Sequence, residues 1–163
     1  MTDTSIIEIA ATAHHPTPVD RLQLSAIVPD GFRAVLDLDR YVGQAVEAPL
    51  GDLIKLRASQ LNGCSYCVDL HSVDLQNGGY PTRKVFAVSA WRESPWFSLR
   101  ERTALELTEA VTLLPAGGVS EELYARSVAE FGEVDLANLI LAIGTINLWN
   151  RIAVTTHQQP PAL

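Results

Sequence analysis

Only two of the 163 residues are cysteine, Cys64 and Cys67, and only one is methionine. So few cysteines exclude a disulfide-stapled mini-domain, and the chain must hold together by a hydrophobic core. Its length suits one domain around one such core. Basic residues are also short: 12 Lys and Arg stand against 19 Asp and Glu, giving a net charge of −7. Without a Lys/Arg cluster, such a chain is a poor binder of nucleic acid or anionic membrane. No basic stretch precedes an early apolar run, so no signal peptide is expected. The longest nearly apolar run, Leu136 to Trp149, is broken by Asn138, Thr145 and Asn147. It is too short and polar to span a bilayer, and a cytoplasmic protein is expected. In that compartment a cysteine pair is more often catalytic, metal-binding or free than structural. Alternating Val/Ile/Thr-rich runs are missing too, which excludes obvious strands. What remains is ordinary globular composition, with 47% hydrophobic and 19% charged residues.

The fold class expected is all-α, about seven helices in one domain. Residues 1–30 read as an N-terminal arm, 31–157 as the helical domain and 158–163 as a tail. Pro16, Pro18 and the His14-His15 pair show no helical period, and Pro29-Asp30-Gly31 marks a turn. Helices are predicted over about Phe32–Ala45, Leu50–Leu61 and Cys64–Gln76. A fourth runs from Thr82, its N-cap, to about Trp91. Ser98 opens a fifth with a capping-box pattern, Ser98-Leu99-Arg100-Glu101. Ser120 caps a sixth, and Asp135 a last one reaching Val154. That last helix is apolar nearly all round, so it belongs at the centre of the fold or between subunits.

Both cysteines and one of the four histidines lie in Gln60–His71, QLNGCSYCVDLH. On a helix, Cys64, Cys67 and His71 fall within roughly 60° of one another. Val68 and Leu75 share that face, whereas Asp69 and Gln76 point elsewhere. A CxxC at a helix start lets one sulfur resolve an oxidised form of the other. The helix dipole favours a thiolate at Cys64. His71, four residues after Cys67, can take a thiol proton and stabilise the thiolate. On the residues alone other readings stay open. The pair can be structural or fortuitous. Zinc can bind Cys64, Cys67 and His71 with Asp52, His14, His15 or His157 as the fourth ligand. A c-type haem is excluded because Val68, not histidine, follows the second cysteine. A thioredoxin fold needs strands.

The stretch LIKLRASQLNGCSYCVDLH, with AWRESPWFSLRERTALELTEAVT and INLWNRIAV, resembles the alkylhydroperoxidase D-like family of the carboxymuconolactone decarboxylase superfamily. The resemblance covers roughly Tyr41 to Val154. It implies an all-α fold, trimers or hexamers, and cofactor-free peroxide reduction by a dithiol. Cys67 would correspond to the cysteine that attacks peroxide, Cys64 to the resolving cysteine, and His71 to a member of the proton relay. The family's relay glutamate, twelve residues before the first cysteine, falls on Asp52 here. The histidine that full alkylhydroperoxidase D proteins carry just before the second cysteine is Tyr66 here. Asp52 also reads as a solvated first-turn acid, grouped with Lys55 and Ser59 opposite the Leu50/Leu53/Ile54 stripe.

Other residues have plainer expectations. Trp91, Trp96 and Phe97 read as core or subunit packing, Asn147 and Asn150 as structural hydrogen-bonders or interface contacts, and Arg57 as the partner of a carboxylate inside the fold or across an interface. Tyr41 can reach the cysteines, Tyr66 lies off their face, and His157 reads as solvated. The leading function is a thiol-dependent peroxide reductase. Its partners are a peroxide, an external dithiol of thioredoxin or lipoyl type, and further copies of the chain. The alternatives are a lactone decarboxylase, against which the CxxC pair argues, and a zinc-binding or redox-sensing oligomer.

Overall fold

The computed structural model describes residues 21–162, and among these every regular element is helical. The α-helices are α1 (Leu24–Ile27), α2 (Pro29–Ala45), α3 (Ala48–Asn62), α4 (Ser65–Asn77), α5 (Thr82–Phe86), α6 (Leu99–Thr112) and α7 (Glu121–Thr156). Short 3-10 turns follow α5 and α6. His14, His15, Pro16 and Pro18 lie outside the described residues.

The caps explain several boundaries. Ser98 and Glu101 close a reciprocal capping box at the start of α6, and the Ser120 hydroxyl accepts from the Leu123 N–H at the start of α7. Other boundaries differ from the sequence expectations. Pro29-Asp30-Gly31 is the first turn of α2 rather than a separate turn. Proline's fixed φ suits a first helical position, where its missing N–H costs nothing. Thr82 is the first residue of α5, and Pro81 occupies the N-cap. The helix expected to reach Trp91 stays α-helical only to Phe86. The sixth and seventh expected helices form one element broken at Gly132, with φ 73° and ψ 170°, not capped by Asp135. A backbone there suits glycine almost exclusively.

The core is built around α3, which is buried nearly all round. Leu53, Ile54 and Leu56 are fully enclosed, with Leu105 and Leu107 of α6 and Leu139 and Ile143 of α7 around them. Each such side chain contributes roughly 1.5–3 kcal/mol on burial. By length and composition α7 would also pass for a membrane span. Its packing against α6, α3 and α2 is that of a core helix. α2 lies at the periphery: Val42 is its one buried residue, and Leu36 and Leu38 of its expected inner side are exposed.

Candidate active site

Gly63 closes α3 in the left-handed region, at φ 69° and ψ 30°, and the Cys64 N–H donates back to the Ser59 carbonyl (3.0 Å). The chain thus reverses within two residues, and α4 packs back along α3. An asparagine cluster fixes this corner to α7. Asn62 Nδ2 donates to Asn147 Oδ1 and Asn150 Oδ1, each at 2.9 Å, and Asn150 Nδ2 donates to Ser59 Oγ at 3.0 Å. Asn147 and Asn150 therefore serve as the structural hydrogen-bonders expected of them.

Cys64 is the N-cap of α4, and its Sγ accepts from the Cys67 N–H at 3.3 Å. The two cysteines are joined as a disulfide with Cα atoms 5.4 Å apart, within the usual span for such a bond. They are 2% and 3% exposed and pack with Ala153 of α7 and Tyr66. The two cysteines border two different openings. Cys67 lines a cleft of about 290 Å³ with His71, Tyr66, Lys55, Phe32 and Trp149. Cys64 lines a smaller pocket of about 190 Å³ with His157 and Gln158 near the end of α7. Tyr66 thus does face the cleft, contrary to its place on the helical wheel. Because α4 begins at Ser65, it sits in the first turn, against Ala153 of α7. His157 is the half-buried, left-handed C-cap of α7 rather than a solvated tail residue.

His71 is 8% exposed and lies on the same face of α4 as Cys67. Its Nδ1 stands 3.7 Å from Asp52 Oδ1 and 3.5 Å from Asp74 Oδ2. Both separations exceed hydrogen-bond length. Asp52 is the fifth residue of α3, past the first turn, and its side chain is 22% exposed. The solvated first-turn reading of Asp52 therefore does not hold, because α4 covers that side of α3. Asp74, three residues after His71 on one helix face, is a member of the site that the sequence analysis missed. Trp149 was missed as well: it packs edge-on against Phe32, ring centres 5.5 Å apart, to wall the cleft. Tyr41 is remote from the cysteines and donates to Asn138.

Behind the site, Arg57 pairs with Glu109 of α6 at 2.7 Å, the inner carboxylate expected for it. Trp91 Nε1 donates to Glu109 at 2.7 Å, and Arg92 completes the set. Burial pushes the Glu109 carboxyl up, but the bonds from Trp91, Arg92 and Arg57 outweigh it and hold the pKa below the ordinary value. Trp91 and Phe97 are core residues, while Trp96 is exposed beneath the Arg83 guanidinium.

Comparison with known proteins places this corner in a family. The model of the carboxymuconolactone decarboxylase family matches residues 28–110, which contain Asp52, both cysteines, His71 and Asp74. The chain belongs to that family. It is 36% identical over 135 residues to the uncharacterized protein YdfG of Bacillus subtilis, spanning 82% of this chain and 92% of the relative. The uncharacterized protein YnjA of Escherichia coli is 38% identical over 96 residues, 59% of this chain and 52% of that one. Among solved structures, a protein of unknown function from Agrobacterium tumefaciens, provisionally assigned as the antioxidant defence protein AhpD, superposes with a TM-score of 0.86 at 36% identity. That match covers 89% of this chain and 100% of the other. A peroxidase-related protein with an alkylhydroperoxidase AhpD core from Ralstonia eutropha shares the fold at 22% identity, with a TM-score of 0.73 over 84% of this chain and 74% of its own. The all-α, AhpD-like architecture is thereby established, within a family of enzymes.

Proposed function

We propose that the protein is a thiol-dependent peroxide reductase. The observation that carries this reading is the buried Cys64–Cys67 pair at the start of α4, with Cys67 and His71 lining one cleft and Asp52 beside His71. In the reduced enzyme His71 takes the Cys67 thiol proton. The Cys67 thiolate attacks a peroxide oxygen, the O–O bond breaks, and Cys67 becomes a sulfenic acid. The departing alkoxide recovers the proton from His71 and leaves as the alcohol. The Cys64 thiol then attacks the Cys67 sulfur, water departs, and the disulfide closes. An external dithiol, of lipoyl or thioredoxin type, restores both thiols by exchange. Asp52 holds positive charge on His71 during the first step. It does the work of the longer relay glutamate because α3 and α4 pack closely enough for the shorter side chain to stand beside the ring.

Cys67→Ser should abolish turnover in a reductant-coupled assay, and Cys64→Ser should leave a sulfenate that a dimedone-type probe traps. If both variants consume peroxide at the wild-type rate, the reading is wrong. The family's name favours one second reading, a lactone decarboxylase. Decarboxylation of a carboxymuconolactone that persists after thiol blocking would support it. For assembly, the half-exposed Leu36, Tyr41, Leu141 and Leu148 on α2 and α7 support a homo-oligomer, trimer or hexamer.

A further inference from the structure

Asp74, which the peroxide chemistry above does not use, forms a cluster with the two relay residues Asp52 and His71. One ligand atom from each lies within 4.8 Å of the others. His71 Nδ1 is buried and has no hydrogen-bond partner among the described residues. A buried ring nitrogen left unbonded is costly and calls for an explanation. The nitrogen faces two carboxylates, yet neither is close enough to accept from it. Neither carboxylate is paired with a Lys or Arg among the described residues.

The spacing has a direct chemical meaning. Ligand atoms about 2.0–2.1 Å from a tetrahedral zinc ion lie about 3.4 Å from one another. The Nδ1–carboxylate separations of 3.5 and 3.7 Å lie near that edge rather than at hydrogen-bond length, and the three atoms together span no more than 4.8 Å, which a bound ion would draw in. His71 and Asp74 come from one face of α4, one turn apart, and Asp52 comes from α3. Their backbones are fixed by the helix packing around the Gly63 corner. A neutral imidazole and two carboxylates offer a borderline N/O set with two negative charges, suited to a first-row divalent ion.

We propose that Asp52, His71 and Asp74 bind a divalent cation of the zinc type, with water completing the coordination. The cysteines take no part, being paired with each other. This moves the metal reading away from the CxxC pair, where the sequence placed it. Occupancy would draw Asp52 and His71 away from Cys67, and this consequence alone rests on the dithiol reading above.

The test is a calorimetric zinc titration of the full-length, chelator-treated protein with Cys64 and Cys67 oxidised. We expect about one zinc per chain. Asp74→Asn and Asp52→Asn should each weaken binding by about tenfold or more, whereas Cys64→Ser/Cys67→Ser should retain it. Helix content by circular dichroism checks each variant, and if one fails to fold the other decides. No stoichiometric binding by the wild-type chain overturns the proposal. Binding unchanged in a folded carboxylate variant overturns it too, since the metal is then held elsewhere. The titration involves neither peroxide nor free thiol, so its failure leaves the peroxidase reading standing, and the converse holds.

Discussion

At the scale of single residues, the proposed chemistry depends on Asp52 reaching His71. Asp52→Asn should lower peroxide turnover by about ten- to a hundredfold, less than the roughly 10²- to 10⁴-fold of a direct acid–base group because Asp52 acts through His71. Asp52→Glu, which keeps the charge and adds reach, should retain most of the rate. Rapid-mixing measurement of Cys67 oxidation in both variants checks this, and equal rates in the two would remove Asp52 from the relay. Cys64, Cys67 and His71 were legible because one helix carries all three, and helical spacing governs neighbours on one helix. Asp52 was ambiguous for the opposite reason. A wheel drawn on α3 marks the side away from the leucines but cannot show that α4 covers it. Asp74 had a readable signal, its i+3 spacing from His71. Trp149 had none, because its neighbour Phe32 is far away in the chain.

At the scale of elements, the caps were the most legible feature and the breaks the least. A capping box such as Ser98–Glu101 is local chemistry and survives folding unchanged. The Gly132 break was missed in favour of Asp135, because acids mark helix starts from sequence while a strained glycine shows only in its dihedral angles. Gly132→Ala should destabilise the protein by about 1–3 kcal/mol through backbone strain. Nothing lies within 4 Å of the added Cβ, so a clash would not account for the loss. Denaturant unfolding of the variant measures it. Glu109, which ties α3 to α6, gives a pH signature. Its folded pKa is depressed, so its stabilisation is present above the unfolded value of about 4.3 and is lost as pH falls through the folded pKa. Glu109→Gln should therefore cost stability at pH 7, and the gap to wild type should shrink as pH falls below about 4. A gap that stays constant down to pH 3 would contradict the assignment.

At the scale of the whole molecule, the fold was legible because every regular element among the described residues is helical and the resemblance spans most of that length. The order of burial was less so: α2 is more exposed than its apolar pattern suggests, and α3 shares the centre with α7. The disulfide closes only a four-residue loop, worth about 2 kcal/mol on chain-entropy grounds. Reduction should thus lower the melting temperature by about 4–8 °C without unfolding the domain, and scanning calorimetry of both redox forms checks it. A dithiol that can open and close on a stable scaffold is what repeated turnover requires. The most direct test is a free-thiol titration of the reduced protein before and after one equivalent of peroxide. The account predicts that two thiols per chain disappear and that an added dithiol restores both. Two thiols that persist in the presence of peroxide would contradict it.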